Sequence, residues 1–124
     1  MQDIMQPLIH KAPVMGLRVN VARTGLCIGD QAELRLLPDG QIGIYAPVRR
    51  WFLGMIPRQV LLHLGQLGPQ ATAIIGEAMQ REMHLRVRIV GLTPEHLCGE
   101  AGPEIYISIW GDAQRLEAMV QALA

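Results

Sequence analysis

Net charge, lysine, cysteine and long apolar runs are all scarce in this chain, and each scarcity narrows the chemistry open to it. Eleven basic side chains balance eleven acidic ones, so no overall field draws the protein to DNA, RNA or an acidic membrane. Any such contact has to rest on a local patch. Lysine occurs once, at Lys11, and the other cations are arginines, which favours planar, bidentate recognition over diffuse charge. Cys27 and Cys98 are the only cysteines, and Met1 to Pro7 lacks the basic start and apolar run of a secretion signal. The expectation is therefore a reduced, soluble, cytoplasmic protein, with one disulfide between the two cysteines left open. No apolar stretch approaches the roughly 20 residues that cross a bilayer, so no membrane partner is expected.

What is present is core material. Half of the residues are apolar and 18% are charged, which describes a folded domain. At 124 residues the chain reads as one domain, large enough to bury a core without staples. The slightly hydrophobic balance points to a homodimer or a covered face. Met15 to Arg23 alternates apolar and polar residues as a half-buried strand does, and Ala32 to Leu36 alternates again. The Pro38-Asp39-Gly40 turn leads to a third strand from Gln41 to about Ala46, which Pro47 limits. A fourth strand runs over Trp51 to Ile56. Pro57 then opens a helix that closes near Gly65 or Gly68, with Pro69 blocking its continuation. Strands over Ala71 to Gly76, Leu85 to Val90 and Glu104 to Trp110 follow, with a short turn at Thr93-Pro94-Glu95 and a loop from Gly99 to Pro103. Asp112 caps a terminal helix with Leu116, Met119, Val120 and Leu123 on one face. Short strands with turn signals between them and two helices predict a mainly β, α+β fold: a small, curled antiparallel β-barrel.

The stretch with the most chemical content is Gly54-Met55-Ile56-Pro57-Arg58-Gln59, preceded by Arg49-Arg50-Trp51. A helix beginning at Pro57 presents its positive end, the Arg58 fork lies in the first turn, and together they suit a phosphate. Trp51 beside two arginines suits a stacked base. The bland reading of the same residues is a strand-to-helix corner with solvated arginines and a tryptophan packed on the barrel.

The order Met15-Gly16-Leu17-Arg18, a second strand after Gly29-Asp30, the Leu37-Pro38-Asp39-Gly40 turn, Ile42-x-Ile44 and Gly54-Met55-Ile56-Pro57-Arg58 resembles a HIRAN domain. The resemblance covers roughly residues 14 to 76, with Tyr106 to Gly111 as a closing strand. It implies a small OB-like or SH3-like barrel and a nucleic-acid-binding module for single-stranded DNA ends, associated with DNA repair or fork processing. It also implies that Arg18, Asp39 and Arg58 match a basic, an acidic and a basic position of the family. Two departures bear on the pocket for a 3′ end: Val19 stands where the family carries an aromatic, and the loop at 38–40 is short.

Other chemistries are thinly supported. His96 and Cys98 lack the paired spacing of a zinc site, and a Cys98 nucleophile with His96 as its base is awkward on one strand. His63 reads as a half-buried structural residue of the helix, and the glycine pairs lack the lysine of a nucleotide loop. No metal, cofactor or catalytic activity is expected. Two function classes remain: a nucleic-acid module using Arg18, Asp39, Arg49, Arg50, Trp51 and Arg58, or a homo-oligomerisation or protein-interaction domain.

Overall fold

The computed structural model describes residues 5–52, 56–100 and 102–112; the side chains of 49–52 and 56–57 lie outside that description. The helix expected over 112–123 falls on residues outside it, apart from Asp112. The described residues form β1 (Gln6–Pro13), β2 (Gln31–Leu36), β3 (Ile42–Phe52), β4 (Ile56–Gln66), α1 (Pro69–Gln80), β5 (Arg86–Thr93) and β6 (Glu104–Gly111). The strands make one antiparallel sheet in the order β1-β6-β5-β2-β3-β4. The mainly β expectation holds, with α1 as the α-helix among the described residues.

Two-residue alternation decides what is buried. Ile42, Ile44 and Ala46 of β3, Leu64 of β4, Ile89 of β5 and Ile105, Ile107 and Ile109 of β6 are all shut away from water, together with Ile75 of α1. Branched side chains suit a pleated surface, and each fully buried one contributes about 1.5–3 kcal/mol before entropy is counted.

Two prolines exchange the roles that the sequence suggests. Pro57 does not open a helix; it lies inside β4, which pairs with β3 from Phe52↔Ile56 to Gly43↔Gln66. The run Val60-Leu61-Leu62-His63-Leu64 is too short to separate helix from strand by periodicity, and the long partner β3 decides it. Pro69 opens α1 instead of blocking a helix, because a first-turn residue has no use for its amide. Ala71, Ala73 and Ala78 favour the helix, and Thr72 Oγ1 donates to the Gly68 carbonyl at 2.8 Å. The strand expected over Ala71 to Gly76 is therefore helical. β3 also runs through Pro47 to Phe52. Its pairing with β2 stops at Glu33↔Tyr45, so Pro47 lies where β3 has one neighbour, and a missing donor is tolerated there.

The strand expected over Met15 to Arg23 is not one. Its alternation survives as burial, with Val21 buried, Leu17 and Val19 half-buried, and Arg18, Asn20 and Ala22 exposed. In place of a ladder the segment has an isolated Met15↔Gln66 bridge, a single Arg18 N–H bond to Leu64 O and a 3-10 turn over Val21–Arg23. The paired strand is β1, whose Pro7 and Pro13 hide it from a sequence reading and are tolerated at a sheet edge.

The chain leaving β1 reaches across to the opposite edge strand. Met15 N–H donates to Gln66 O at 2.8 Å, Gln66 N–H donates to Met15 O at 2.9 Å, and Arg18 N–H donates to Leu64 O at 2.9 Å. Gly65 permits this approach, since a Cβ there would stand 2.5 Å from Met15 O and 2.7 Å from Val14 Cγ1. Both obstacles are held by packing or backbone bonds. Gly65→Ala is accordingly expected to cost about 1–3 kcal/mol, the range for overpacking. Gly76→Ala, in a helix with open space around that position, is expected to stabilise by about 0.5–1 kcal/mol. Urea unfolding of the two variants checks both signs.

Candidate nucleic-acid interface

The alternation that sends Ile44 and Ala46 inward sends Tyr45 outward. Register then gathers its neighbours: Glu33 of β2 lies opposite Tyr45 on one side and His63 of β4 on the other. A bulge in the β3–β4 ladder, between Ile44↔Gly65 and Tyr45↔His63, lets Leu64 stay in the core while His63 faces Tyr45. The two rings stack with centroids 4.4 Å apart and planes 15° from parallel.

Both ends of this ring pair carry a guanidinium group. His63 Nε2 lies 2.9 Å from the Gly65 carbonyl. A carbonyl only accepts, so Nε2 carries the proton and Nδ1 offers a lone pair. Arg18 Nη1 approaches that lone pair at 3.4 Å. At the other end Arg35 Cζ stands 5.3 Å from the Tyr45 centroid, within cation–π range, while Arg35 Nε donates to Glu33 Oε2 at 3.0 Å. The result is a row, Arg18, His63, Tyr45, Arg35, across the outer face of β2, β3 and β4.

Of the residues singled out from the sequence, Arg18 enters this row. Arg49, Arg50 and Trp51 have defined backbone positions in β3, opposite Gln59, Arg58 and Pro57, and the expectations about their side chains lie outside the described residues. Arg58 is exposed and has an interaction of its own, but it lies within β4, so no helix end stands beside it. Asp39 is exposed and its carboxylate accepts the Gln41 N–H at 3.0 Å, closing its own turn, where Gly40 has φ 86°. His63 is half-buried as expected, but on a strand and in a ring pair. The residue that sequence reasoning missed is Arg35. Its signal was available, since the alternation of Glu33-Leu34-Arg35 and the short turn at 38–40 already set Arg35 outward near Tyr45.

Cys27 and Cys98 are free thiols. Among the described residues no three His, Cys, Asp or Glu side chains converge as metal ligands do, and no helix is long and apolar enough to cross a membrane. Comparisons with family models, curated proteins and solved structures find no match.

The segment that carries Arg18 is tied down at its far end by Glu95. One carboxylate oxygen accepts the Val21 N–H at 2.8 Å and the other the Ala22 N–H at 3.0 Å. These bonds, the one from Ala22 foremost, hold the Glu95 pKa below the ordinary glutamate value. A depressed native pKa means that the folded form favours the carboxylate. Its stabilisation is complete above the ordinary glutamate range and fades as pH falls through the lower native value. Glu95→Gln is expected to remove this part of the acid limb, so the melting temperatures of variant and parent should converge as pH falls through that window.

Proposed function

We propose that this protein is a non-enzymatic, HIRAN-like module that binds single-stranded nucleic acid, DNA favoured, on the outer face of β2, β3 and β4. The observation that carries this reading is the stacked Tyr45–His63 pair with a guanidinium group at each end. His63 and the Arg35 guanidinium flank Tyr45, so a base stacks on the ring by displacing the exposed arginine, and the arginine forks then take phosphates at either side. Such a row meets the requirement set by zero net charge, since two guanidinium groups stand there against the single carboxylate of Glu33.

In this reading the curled sheet is an OB-like barrel whose seam is the Met15–Gln66 bridge, and Arg49, Arg50, Trp51 and Arg58 of the β3–β4 hairpin are further proposed contacts with the strand. The resemblance in the Met15 to Arg18 and Gly54 to Arg58 segments supports the same assignment and a role in DNA repair or fork processing. A homo-oligomer interface is the second reading, favoured by the exposed Val60 and Leu61 on edge strand β4.

The test is fluorescence anisotropy with labelled oligothymidylate at two salt concentrations. Arg18→Ala and Arg35→Ala are each expected to weaken binding by about 1.5–3 kcal/mol, the range for bonds to charged groups. Each should also reduce the salt slope by about 0.7, one phosphate on a single strand. Tyr45→Ala should cost about 1–3 kcal/mol of binding through lost stacking. Unchanged affinity and slope in both arginine variants would take the site away from this face, and a concentration-dependent dimer without DNA binding would favour the second reading.

A further inference from the structure

The opposite half of the same outer surface carries a second set of cations and rings. On β6 the residues between the buried isoleucines are Tyr106 and Trp110, both half-exposed, and Ser108, itself buried between them; the register sets Arg86 opposite Trp110 and Arg88 opposite Ser108. Trp110 Nε1 donates to Ser108 Oγ at 3.2 Å, which lays the indole along the strand toward the Arg88 row. Tyr106 lies against Gly91, where a Cβ would meet its ring at 3.2 Å. Lys11 Nζ, from β1, stands 4.3 Å above the centre of that ring. Of the acids nearby, Glu104 accepts the Tyr106 hydroxyl at 2.8 Å, and Asp112 follows Trp110 by two residues. Arg86 and Lys11 are exposed, and Arg88 is half-exposed with one guanidinium nitrogen 3.4 Å from the Gly29 carbonyl.

β2 joins this half to the first. Gln31 lies opposite Arg88 of β5, and Glu33, two residues on and hence on the same face, lies opposite Tyr45 of β3. Arg86, Arg88, Trp110 and Tyr106 are thus part of one surface with Tyr45 and His63. With strands about 4.8 Å apart, β6 and β4 are separated by roughly 19 Å along the sheet.

We propose that the outer face of β5 and β6, with Arg86, Arg88 and Trp110 as its main contacts, is a second contact region for the same single strand, which crosses β2 from the Tyr45–His63 row. This rests on the nucleic-acid reading above. Charge complementarity commits the face to a polyanion: across the whole outer surface Arg18, Arg35, Lys11, Arg86 and Arg88 outnumber Glu33, Glu104 and Asp112, and Glu33 and Glu104 are already held by Arg35 and the Tyr106 hydroxyl. The rings decide between polyanions, because an acidic peptide or lipid headgroup has no bases to lay on Trp110 and Tyr106.

The experiment compares oligothymidylates of about 4 and about 16 nucleotides, the span of site sizes for one OB fold. Wild-type protein should bind the longer strand well beyond the statistical gain in binding positions. Arg86→Ala with Arg88→Ala should weaken the longer strand about tenfold, reduce its salt slope by about 1.4, two phosphates, and abolish that excess. A melting temperature within error of wild type excludes misfolding as the cause. In a Trp51→Phe background the remaining indole, Trp110, should be quenched by the longer strand. Binding that is lost in Arg18→Ala with Arg35→Ala but unchanged in the Arg86 and Arg88 variant would overturn this inference and leave the first face standing. A wild-type protein that binds neither oligonucleotide, or only anionic phospholipid vesicles, would overturn both.

Discussion

The close approach of residues 14–16 to Gly65 is the constraint on which the rest of the architecture depends. β1 and β4 are the two edges of the sheet, and they share no ladder. What links them is a backbone exchange between Met15 and Gln66, made possible because nothing projects from Gly65 toward Met15 O. Three residues farther on, Arg18 N–H bonds to Leu64 O, and its guanidinium comes to rest at His63. The same contact that links the sheet edges also delivers a cation to the ring pair. A lesion at Gly65 should therefore disturb the site and the fold together, whereas a change at Arg18 touches the site alone.

The second determinant is phase. A strand shifted by one residue exchanges its two faces, so the row on the outer face exists only while Tyr45 and His63 hold their register. The bulge at Leu64 reconciles two demands that a regular ladder cannot meet at once. It keeps an apolar side chain in the core and sets the histidine, two residues from the glycine at the seam, against the tyrosine. Glu33 and Arg35 follow from the β2–β3 register without further adjustment.

Much of the sheet was legible because its strands carry their own alternation. β2, β5 and β6 appear within a residue or a few of where Ala32 to Leu36, Leu85 to Val90 and Glu104 to Trp110 place them, and the Pro38-Asp39-Gly40 turn forms as its residues require. The middle of the chain was misread where one signal had two meanings. A proline before an apolar run marks a helix start or an edge strand, and Pro57 and Pro69 took opposite options. Long-range pairing chose between them, and nothing local to Val60-Leu61-Leu62-His63-Leu64 states that an eleven-residue partner, Ile42–Phe52, lies beside it. For the candidate site Arg18 came from the family resemblance and Arg35 was legible from the alternation of β2, while the Tyr45–His63 pair was hidden because a bulge in the β3–β4 ladder sets it and not the sequence around His63.

Zero net charge looks like an argument against a polyanion partner until the acids are followed to their partners. Asp30 accepts the Cys27 N–H, Asp39 the Gln41 N–H, Glu95 the Val21 and Ala22 N–H groups, and Glu104 the Tyr106 hydroxyl. These carboxylates serve as acceptors for turns and loops, where an ionised oxygen satisfies backbone donors that no ladder reaches. Glu77 pairs with Arg81 one turn along α1, and Glu33 with Arg35 along β2. The arginines, by contrast, fall repeatedly on the outward positions of strands whose inward positions are isoleucine, valine and leucine, as Arg35, Arg86 and Arg88 do. Balanced sums therefore conceal a local difference among the described residues: Asp30, Asp39, Glu95 and Glu104 hold turns, loops and a hydroxyl in place, while Arg86 and Arg88 stand on the outside of the sheet. A partner that reads the surface meets the second population. At the Tyr45–His63 row the local balance is two guanidinium groups, of Arg18 and Arg35, against the one carboxylate of Glu33, which Arg35 already holds.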